Sequence, residues 1–365
     1  MLERILSVPT VDEIVSIVSA LFTIKRINQS PSTLEIEIEE VDPTRKFRDL
    51  VQKIEPKNLI ARLERHNERM FIIISRFESP ATKKTWIPRV LFAATITTVM
   101  IDGYYRAIST NSIVKVGDPL TIAILYTISL MGILGIHELG HIIAAKKHRL
   151  RVSWPYFIPG IPVIGFIPTF GAIIKSRGLI INRNILFDIG ISGPIAGLII
   201  AVIVSTYGAY VSPLVQSSVA EELSAKSGLS EIHSSILMDS TIVLMGKHLP
   251  DKDLIMSPVL LAAWFGFLLT FLNLLPAWQL DGGHIARATF GLKLHKILTF
   301  VSVGVLASLQ YFPMAFLVLI FSMRSPDVKP LDDISPLSRK RRWMFVLVMI
   351  LAFLCAPLPF SILPK

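Results

Sequence analysis

The chain has 365 residues, 52% of which are hydrophobic, and a mean hydropathy of +0.58. This composition is rare among soluble domains and indicates long apolar runs rather than one large core. The net charge of +10 could indicate nucleic-acid binding, but residues 1–89 hold 15 Lys/Arg against 13 Asp/Glu, and the excess lies in short loops between apolar runs. That distribution is typical of a protein whose partner is the lipid bilayer, so no nucleic-acid partner is expected.

Residues 1–85 are predicted to form a small soluble α+β domain. Apolar residues at helical spacing predict helices, and alternation predicts strands, most clearly where Leu34, Ile36 and Ile38 alternate with glutamates. The predicted helices are 8–21, 47–54 and 58–65, and the predicted strands are 22–28, 33–40 and 70–74. This domain carries no pattern of catalytic residues.

Residues 86–365 are predicted to form a polytopic α-helical membrane core of about six to seven spans, because about 20 apolar residues cross a bilayer as a helix. The predicted spans are 87–105, 119–145, 186–210, 256–280, 294–323 and 343–360. Residues 146–187 hold seven Lys/Arg, whereas residues 211–254 hold three Lys and six Asp/Glu. Positive charge marks the cytoplasmic side, so we expect a multi-pass protein of the cell membrane with a cytoplasmic N-terminal domain.

The apolar block 294–323 has two interpretations. A single span would place the basic run 339–342 on the outside, against the positive-inside rule. Two short spans hinged at Phe312-Pro313 would keep that run inside. We favour the hairpin, and the single span stays open.

Residues 154–174 are apolar but contain four prolines and three glycines, which forbid a regular helix. Backbone that faces lipid needs hydrogen-bond partners. The segment must therefore fold against the helices, line a wet cavity or pair as strands, and we expect an embedded β-strand or re-entrant segment. The alternative is a loop that lies at the membrane interface.

One apolar helix is predicted to end in a metal-binding motif. The sequence His137-Glu138-Leu139-Gly140-His141 is an H-E-x-x-H pattern, whose i, i+4 spacing puts both imidazoles on one helix face, where they can share one Zn²⁺. Glu138, beside the first histidine, can take a proton from water at the metal. Ionisable residues inside a membrane helix are costly and usually functional. The alternative is a solvated helix end before Lys146 and Lys147.

A catalytic zinc site needs a third protein ligand and one open position. No further His or Glu follows the motif at the spacing seen in soluble enzymes. The best candidate is Asp281, far downstream in the sequence from Asn273 to His284, at the end of a predicted span that also reaches the cytoplasmic side.

These motifs, in this order, resemble the site-2 protease family of intramembrane zinc metalloproteases. The matching segments are HELGH at 137–141, N-x-x-P…L-D-G at 273–282, FGAIIKSR at 170–177, Phe187-Asp188 and Ser192 to Gly197. The stretch 330–336, PLDDISP, and a soluble N-terminal domain resemble the chloroplast gravitropism-deficient (EGY-like) branch and its prokaryotic relatives. One departure is His284, where many relatives have Arg.

The resemblance implies an enzyme that hydrolyses peptide bonds within or near the transmembrane segments of membrane proteins. It implies that His137, His141 and Asp281 hold one Zn²⁺ per chain and that Glu138 is the base. It also implies that Asn273 positions substrate or stabilises the oxyanion. The N-terminal domain would then select substrates or regulate the enzyme.

A transmembrane substrate must unwind locally before it is cut, and the unwound segment needs replacement hydrogen bonds. Residues 165–174 are apolar and non-helical, and they alternate as an exposed edge strand would. We therefore expect this strand to pair with substrate by β-augmentation. The expected substrate-strand residues are Gly165, Thr169, Phe170, Gly171, Ala172 and Ile173.

Two other functions compete with proteolysis. A membrane metal transporter can also carry H-E-x-x-H on a helix, although such transporters usually double the site, and no second histidine motif is present here. A catalytically inactive membrane scaffold is the other alternative, against which the intact Glu138 argues. The sequence does not define the oligomeric state.

Overall fold

The computed structural model describes residues 9–40, 43–77, 86–150, 152–161, 168–173, 180–227, 232–324 and 328–358. Within these ranges a sheet-containing N-terminal part packs against one end of a helical core. The N-terminal elements are α1 (Val11–Ser19), β1 (Ile24–Gln29), β2 (Thr33–Ile38), α2 (Thr44–Ile54), a 3₁₀ turn (Glu55–Lys57), β3 (Leu59–His66) and β4 (Arg69–Arg76).

The N-terminal sheet is antiparallel, with strand order β1-β2-β4-β3. Leu34, Ile36 and Ile38 are buried, as their alternation with glutamates predicts. The prediction of a helix over 58–65 is wrong, because these residues form β3, which pairs with β4 along its whole length. Leu59, Ala61 and Leu63 alternate toward the buried face, so sheet pairing outweighs the weak helical spacing of this segment.

The core consists of nine further helices and two small two-stranded antiparallel sheets in the described residues. Its elements are α3 (Trp86–Ile113), α4 (Pro119–Lys147), β5 (Tyr156–Pro159), β6 (Thr169–Ile173), α5 (Arg183–Val211), β7 (Leu214–Gln216), α6 (Ser217–Ser227), α7 (Ile236–Leu244), β8 (Lys252–Leu254), α8 (Pro258–Leu274), α9 (Asp281–Ser308), α10 (Phe312–Arg324) and α11 (Arg339–Cys355).

Three of the described helices, α4, α5 and α9, are long and apolar enough to cross a membrane, and α8 and α10 are shorter apolar helices. α4, α5 and α8 pack together around buried residues such as Ile133, Ala201 and Phe267. A helix is present near each predicted span, but the number that cross the membrane stays a prediction.

Two helix boundaries differ from the predicted spans. The predicted span 256–280 ends at Leu274, because Leu275 is extended before Pro276, the conformation that a residue before proline prefers. Asp281 therefore begins the next helix instead of ending this one. α9 ends at Ser308, where Gln310 takes a left-handed φ of 66°, and α10 packs back against α9. Gly291, with a φ of 79° and a ψ of −175°, breaks α9, so the part of α9 that pairs with α10 begins just after this glycine, close to position 294. The two helices are arranged as in the favoured hairpin, and their crossing of the membrane stays a prediction.

The strand predicted within residues 154–174 is present and pairs with a second strand, whereas its position inside the membrane stays a prediction. β5 and β6 pair antiparallel, with Phe157 opposite Ala172 and Pro159 opposite Thr169. Phe157 packs against Phe92 of α3 at 5.1 Å between ring centroids. Among the described residues β6 pairs with β5 alone, so its other edge has no strand partner.

The N-terminal sheet joins the core through the segment 328–338. The Leu63 N–H donates to the Leu331 carbonyl at 2.9 Å, and the Leu331 and Asp332 N–H groups donate to Ile180 and Ile181. Ile181 shares one apolar cluster with the N-terminal elements. These elements therefore pack against the end of the core where α4 finishes and α5 begins.

Candidate metal centre

Two histidines from α4 form the first half of the site. His137 and His141 lie one helical turn apart, and their Nε2 atoms are 3.1 Å from each other. His137 is 3% exposed and Glu138 is 8% exposed, although both lie in an apolar helix. Both imidazole rings therefore present a nitrogen to the same buried point, as the i, i+4 spacing predicts.

Asp281 from α9 completes the cluster. Its Oδ2 atom is 3.2 Å from Nε2 of His137, and its Oδ1 atom is 3.3 Å from Nε2 of His141. The two glycines that follow allow this approach, because a Cβ at Gly282 would overlap the Leu274 carbonyl and one at Gly283 would overlap the Trp278 carbonyl. The sequence D-G-G thus lets the first turn of α9 fold tightly against the end of α8.

Two contacts orient the His141 ring. Its Nδ1 atom donates a hydrogen bond to the Ile189 carbonyl of α5 at 2.8 Å, because a carbonyl oxygen can only accept. In the neutral ring the lone pair is then on Nε2, the nitrogen that faces His137 and Asp281. On the opposite side the ring lies against Gly193, where any Cβ would overlap it.

This donor set fits a metal ion. One nitrogen from each of His137 and His141 and one carboxylate oxygen from Asp281 all lie within 4.8 Å of one another. Two imidazoles and a carboxylate are a typical three-ligand set for catalytic zinc, with a fourth position left for water or substrate. Within the described residues this is the one group of three or more such ligands.

The other two predicted catalytic residues lie beside the cluster. Glu138 is buried next to His137, and its carboxylate accepts no hydrogen bond from another described residue, so it is available to the site. Asn273, in the last turn of α8, places Nδ2 3.5 Å from Nε2 of His137. The structure thus brings Glu138 and Asn273 to the cluster; their catalytic roles stay predictions.

The predicted substrate strand coincides in part with β6. Thr169 is buried, and its hydroxyl donates to the Ile158 carbonyl at 2.8 Å. Gly171 has a left-handed φ of +81°, which a regular strand residue would not adopt. Ala172 is half-buried in the pairing with Phe157. Phe170 and Ile173 belong to β6 by their backbone, whereas Gly165 lies outside the described residues.

Sequence reasoning missed what the Ser192–Gly197 motif does. Gly193 accommodates the His141 ring, and a Cβ at Gly197 would stand 3.0 Å from Cβ of His137. A Cβ at Gly140 would likewise meet the Ser192 carbonyl at 2.5 Å. The glycines allow α4 and α5 to pack closely at the level of the histidines. The four-residue spacing of Gly193 and Gly197 is the signal that could have revealed this, because it places both on one helix face.

Two further polar residues have partners on distant segments. Asp188 accepts two hydrogen bonds from Arg341, both 2.7 Å, and lies 3.0 Å from His148. His295 is 7% exposed, and its Nε2 lies 3.0 Å from the Trp278 carbonyl. These partners lie on other segments of the chain, so no local pattern predicts them.

A second ion-pair network fixes α9 behind Asp281. Arg287, 2% exposed, donates to both carboxylate oxygens of Asp333 at 3.0 and 2.7 Å, and Arg183 donates to the same carboxylate at 3.0 Å. Burial alone would raise the pKa of Asp333, but the hydrogen bonds and charges of Arg287 and Arg183 outweigh it and hold that pKa below its usual value. The segment that carries Asp333 is the one that joins the N-terminal sheet.

A helical core with an H-E-x-x-H helix and a distant aspartate at one buried point defines a membrane-embedded protein of the metallopeptidase type. The chain belongs to peptidase family M50, whose family model matches residues 125–320, more than half of the sequence. That range contains α5, α8 and all three candidate metal ligands. The resemblance to the site-2 protease family is therefore confirmed.

Curated relatives place the chain near the EGY-like branch. It is 31% identical over 236 residues to the probable zinc metalloprotease EGY2, chloroplastic, of Arabidopsis thaliana, covering 63% of this chain and 41% of the relative. It is 30% identical over 236 residues to EGY1 of the same plant, covering 61% and 41%. The probable zinc metallopeptidase EGY3 of that plant is 24% identical over 192 residues, covering 47% and 31%.

The chain thus spans about two fifths of the length of the first two of these relatives. Their names call them zinc metalloproteases, in agreement with the metal that the donor set of two imidazoles and a carboxylate fits. No solved structure matches the chain.

Proposed function

We propose that this protein is a zinc-dependent protease that hydrolyses peptide bonds within or near the transmembrane segments of membrane proteins. The observation that carries the proposal is the meeting of His137, His141 and Asp281 at one buried point, with Glu138 beside them, in an apolar helical core. Burial of these four ionisable side chains in an apolar core is costly. A bound catalytic metal would account for the presence of all four.

The chain would act on the peptide bond chiefly through Glu138. Zinc, when bound by the two histidines and Asp281, supplies a Lewis acid that polarises the scissile carbonyl and makes water more acidic. The Glu138 carboxylate takes a proton from the attacking water and delivers it to the leaving nitrogen. The hydrogen bond from His141 Nδ1–H to Ile189 keeps the Nε2 lone pair directed at the metal position.

Asn273 would stabilise the negative charge that develops on the substrate carbonyl oxygen. Its amide donates hydrogen bonds without gaining or losing a proton, and its Nδ2 lies close to His137. The end of α8 fixes its position, because the helix stops one residue later, at Leu274. Asn273 would thus act on the same carbonyl that the metal polarises.

The open edge of β6 would bind the unwound part of the substrate. A substrate segment that leaves its helix must replace its backbone hydrogen bonds. β6 lies close to both α3 and α4, and its far edge has no strand partner among the described residues. Backbone pairing at this edge would give affinity with little dependence on side chains. Helix-breaking residues in the substrate should therefore favour cleavage.

The charge pattern supports a cytoplasmic position for the N-terminal domain in a multi-pass protein of the cell membrane. The domain joins the core through Leu63 and Leu331, next to the segment that pairs Arg287 with Asp333. A domain attached there is well placed to select substrates or to regulate the site at the start of α9.

The experiment that tests the function is a comparison of membrane proteomes from cells that carry either the active protein or Glu138→Gln. Transmembrane proteins that become shorter only with the active protein are the expected substrates. Identical membrane proteomes under every growth condition tested, with both proteins present at equal level, would contradict the proposal. A zinc-transport assay in liposomes tests the alternative of a membrane metal transporter. A transporter would move zinc across the bilayer whether or not peptides are cut.

A further inference from the structure

A cavity of about 520 Å³ lies between the end of α4, the first turns of α5 and the start of α11. Lys147 and His148 line it from α4, and Lys340 and Arg341 line it from α11. Asp188 of α5 is the one acidic residue in its lining. The cavity is thus basic and lies where three helices reach the same end of the membrane core.

The cationic groups of the cavity differ in their partners. Asp188 accepts two hydrogen bonds from Arg341 and contacts His148. The negative charge of Asp188 therefore compensates the positive charge of Arg341. Lys147 and Lys340 are exposed and have no acidic partner in the described part of the chain. Two positive charges therefore remain uncompensated in the lining of one cavity, one from α4 and one from α11.

The rest of the lining is apolar and continues toward lipid. Ile143, 57% exposed, and Met344 border the cavity below the lysines. The same face of α4 continues with exposed Leu139 and Ile136, and α11 adds Trp343, which is 72% exposed. Tryptophan at this depth is typical of the boundary between headgroups and acyl chains. A ligand that matches this surface is anionic at one end and apolar at the other.

We propose that this cavity binds the headgroup of an anionic phospholipid, with the phosphate between Lys147 and Lys340 and the acyl chains along the apolar face of α4. Basic pockets between membrane helices commonly bind acidic lipid headgroups at the membrane surface. A free phosphate would use the two lysines but would leave Ile143 and Met344 exposed to water. Lipid binding at this cavity requires that the core lie in a membrane, but it does not require protease activity.

The chain provides a matched control. Lys146 and Arg342 are neighbours of the two lysines on the same helix ends, carry the same charge and are exposed, but they do not line the cavity. The double variant Lys147→Ala/Lys340→Ala and the control Lys146→Ala/Arg342→Ala therefore remove equal charge from the same membrane surface. They differ only in whether that charge faces the cavity.

The test is native mass spectrometry of the full chain, purified in an uncharged detergent and titrated with phosphatidylglycerol or phosphatidylcholine. Phosphatidylglycerol should bind more tightly than phosphatidylcholine to the unchanged protein. Its affinity should fall about thirtyfold in Lys147→Ala/Lys340→Ala, because each lysine near an anionic surface contributes a factor of roughly five. The control pair should lose less than about threefold, and circular dichroism should show unchanged helix content in both.

Three outcomes would overturn the proposal. Equal loss in the two double variants would show a general surface attraction with no defined site. Equal binding of the two lipids would exclude headgroup charge as the basis. Displacement of phosphatidylglycerol by millimolar inorganic phosphate would show that the cavity is a phosphate site and not a lipid site.

Discussion

Gly193 of α5 lies directly against the imidazole of His141 of α4, so closely that any side chain at position 193 would overlap the ring. The Nδ1 atom of the ring donates to the carbonyl of Ile189, which lies one turn before Gly193 on α5. α5 therefore both fixes the His141 tautomer and defines the space in which the ring lies. The metal cluster depends on a helix that contributes no ligand to it.

We expect Gly193→Ala to weaken zinc binding about tenfold, because one extra methyl in a packed site costs about 1–3 kcal/mol and here must displace a ligand. Zinc affinity is measured by competition with a chelator. Gly135→Ala is the control, since Gly135 lies on α4 near the histidines and a Cβ there meets no atom within 4 Å. Equal affinity in the two variants would show that the ring of His141 moves freely.

Asp281→Asn should lower zinc affinity by more than about 100-fold, since altering an outer-shell partner of a ligand alone costs 10–100-fold. The variant loses the only negative charge among the three candidate ligands.

His137→Ala/His141→Ala should remove the single zinc entirely, which metal analysis of the purified protein can measure. Asp253→Asn, an exposed acid in β8, is the control. A full equivalent of zinc in the double histidine variant would refute the assignment of the ligands.

Asp333→Asn should destabilise the protein at neutral pH by about 3 kcal/mol, because it leaves the buried Arg287 without its charged partner. The sign follows from the pKa of Asp333, which is lowered in the folded state from its usual 3.8. The ion pair then stabilises the fold above about pH 4, and this contribution is lost as the pH falls further.

Thermal unfolding in detergent, followed by tryptophan fluorescence, measures this effect. The gap between unchanged protein and Asp333→Asn should be largest at pH 7 and should shrink below about pH 4. Asp251→Asn, which removes an exposed acid, should show no such gap. A gap that stayed constant down to pH 3 would indicate that the carboxylate charge of Asp333 contributes nothing.

Ala172→Pro tests the proposed substrate strand, because proline removes one N–H from β6. Cleavage of a model transmembrane substrate should slow roughly three- to tenfold, which corresponds to the net free energy of one hydrogen bond. Zinc should stay bound. Ala172→Val keeps the N–H and serves as the control. Gly171 is a poor test position, since its φ of +81° would strain any other residue, proline included. Normal cleavage by Ala172→Pro would remove β6 from the substrate site.

The sequence predicts the candidate metal ligands better than it predicts their surroundings. His137, Glu138 and His141 follow from one local spacing, and Asp281 follows from the need for a third ligand at matching depth. The helix break before Asp281 was missed, although Pro276 marks it, because the apolar run continues to Leu280. A composition that is apolar throughout does not show where one helix ends and the next begins.

Partners distant in sequence account for the other features that the sequence does not predict. Residues 58–65 carry charges at helical as well as strand spacing, and pairing with β4 decides between them. Asp188 and Arg341 are 153 residues apart, and their ion pair depends on α5 and α11 meeting at the membrane surface. Neither contact follows from a local pattern, because both depend on how distant segments pack.

Glu138→Gln provides the most direct test of zinc-dependent proteolysis. The purified protein and the variant are reconstituted in liposomes with a labelled transmembrane substrate, and cleavage rate and zinc content are measured on the same samples. Glutamine keeps the shape of the side chain but cannot accept the proton, so the rate should fall by at least about 100-fold with one zinc retained per chain. Cleavage within a few-fold of the unchanged protein, with zinc bound, would contradict the proposal that Glu138 is the base.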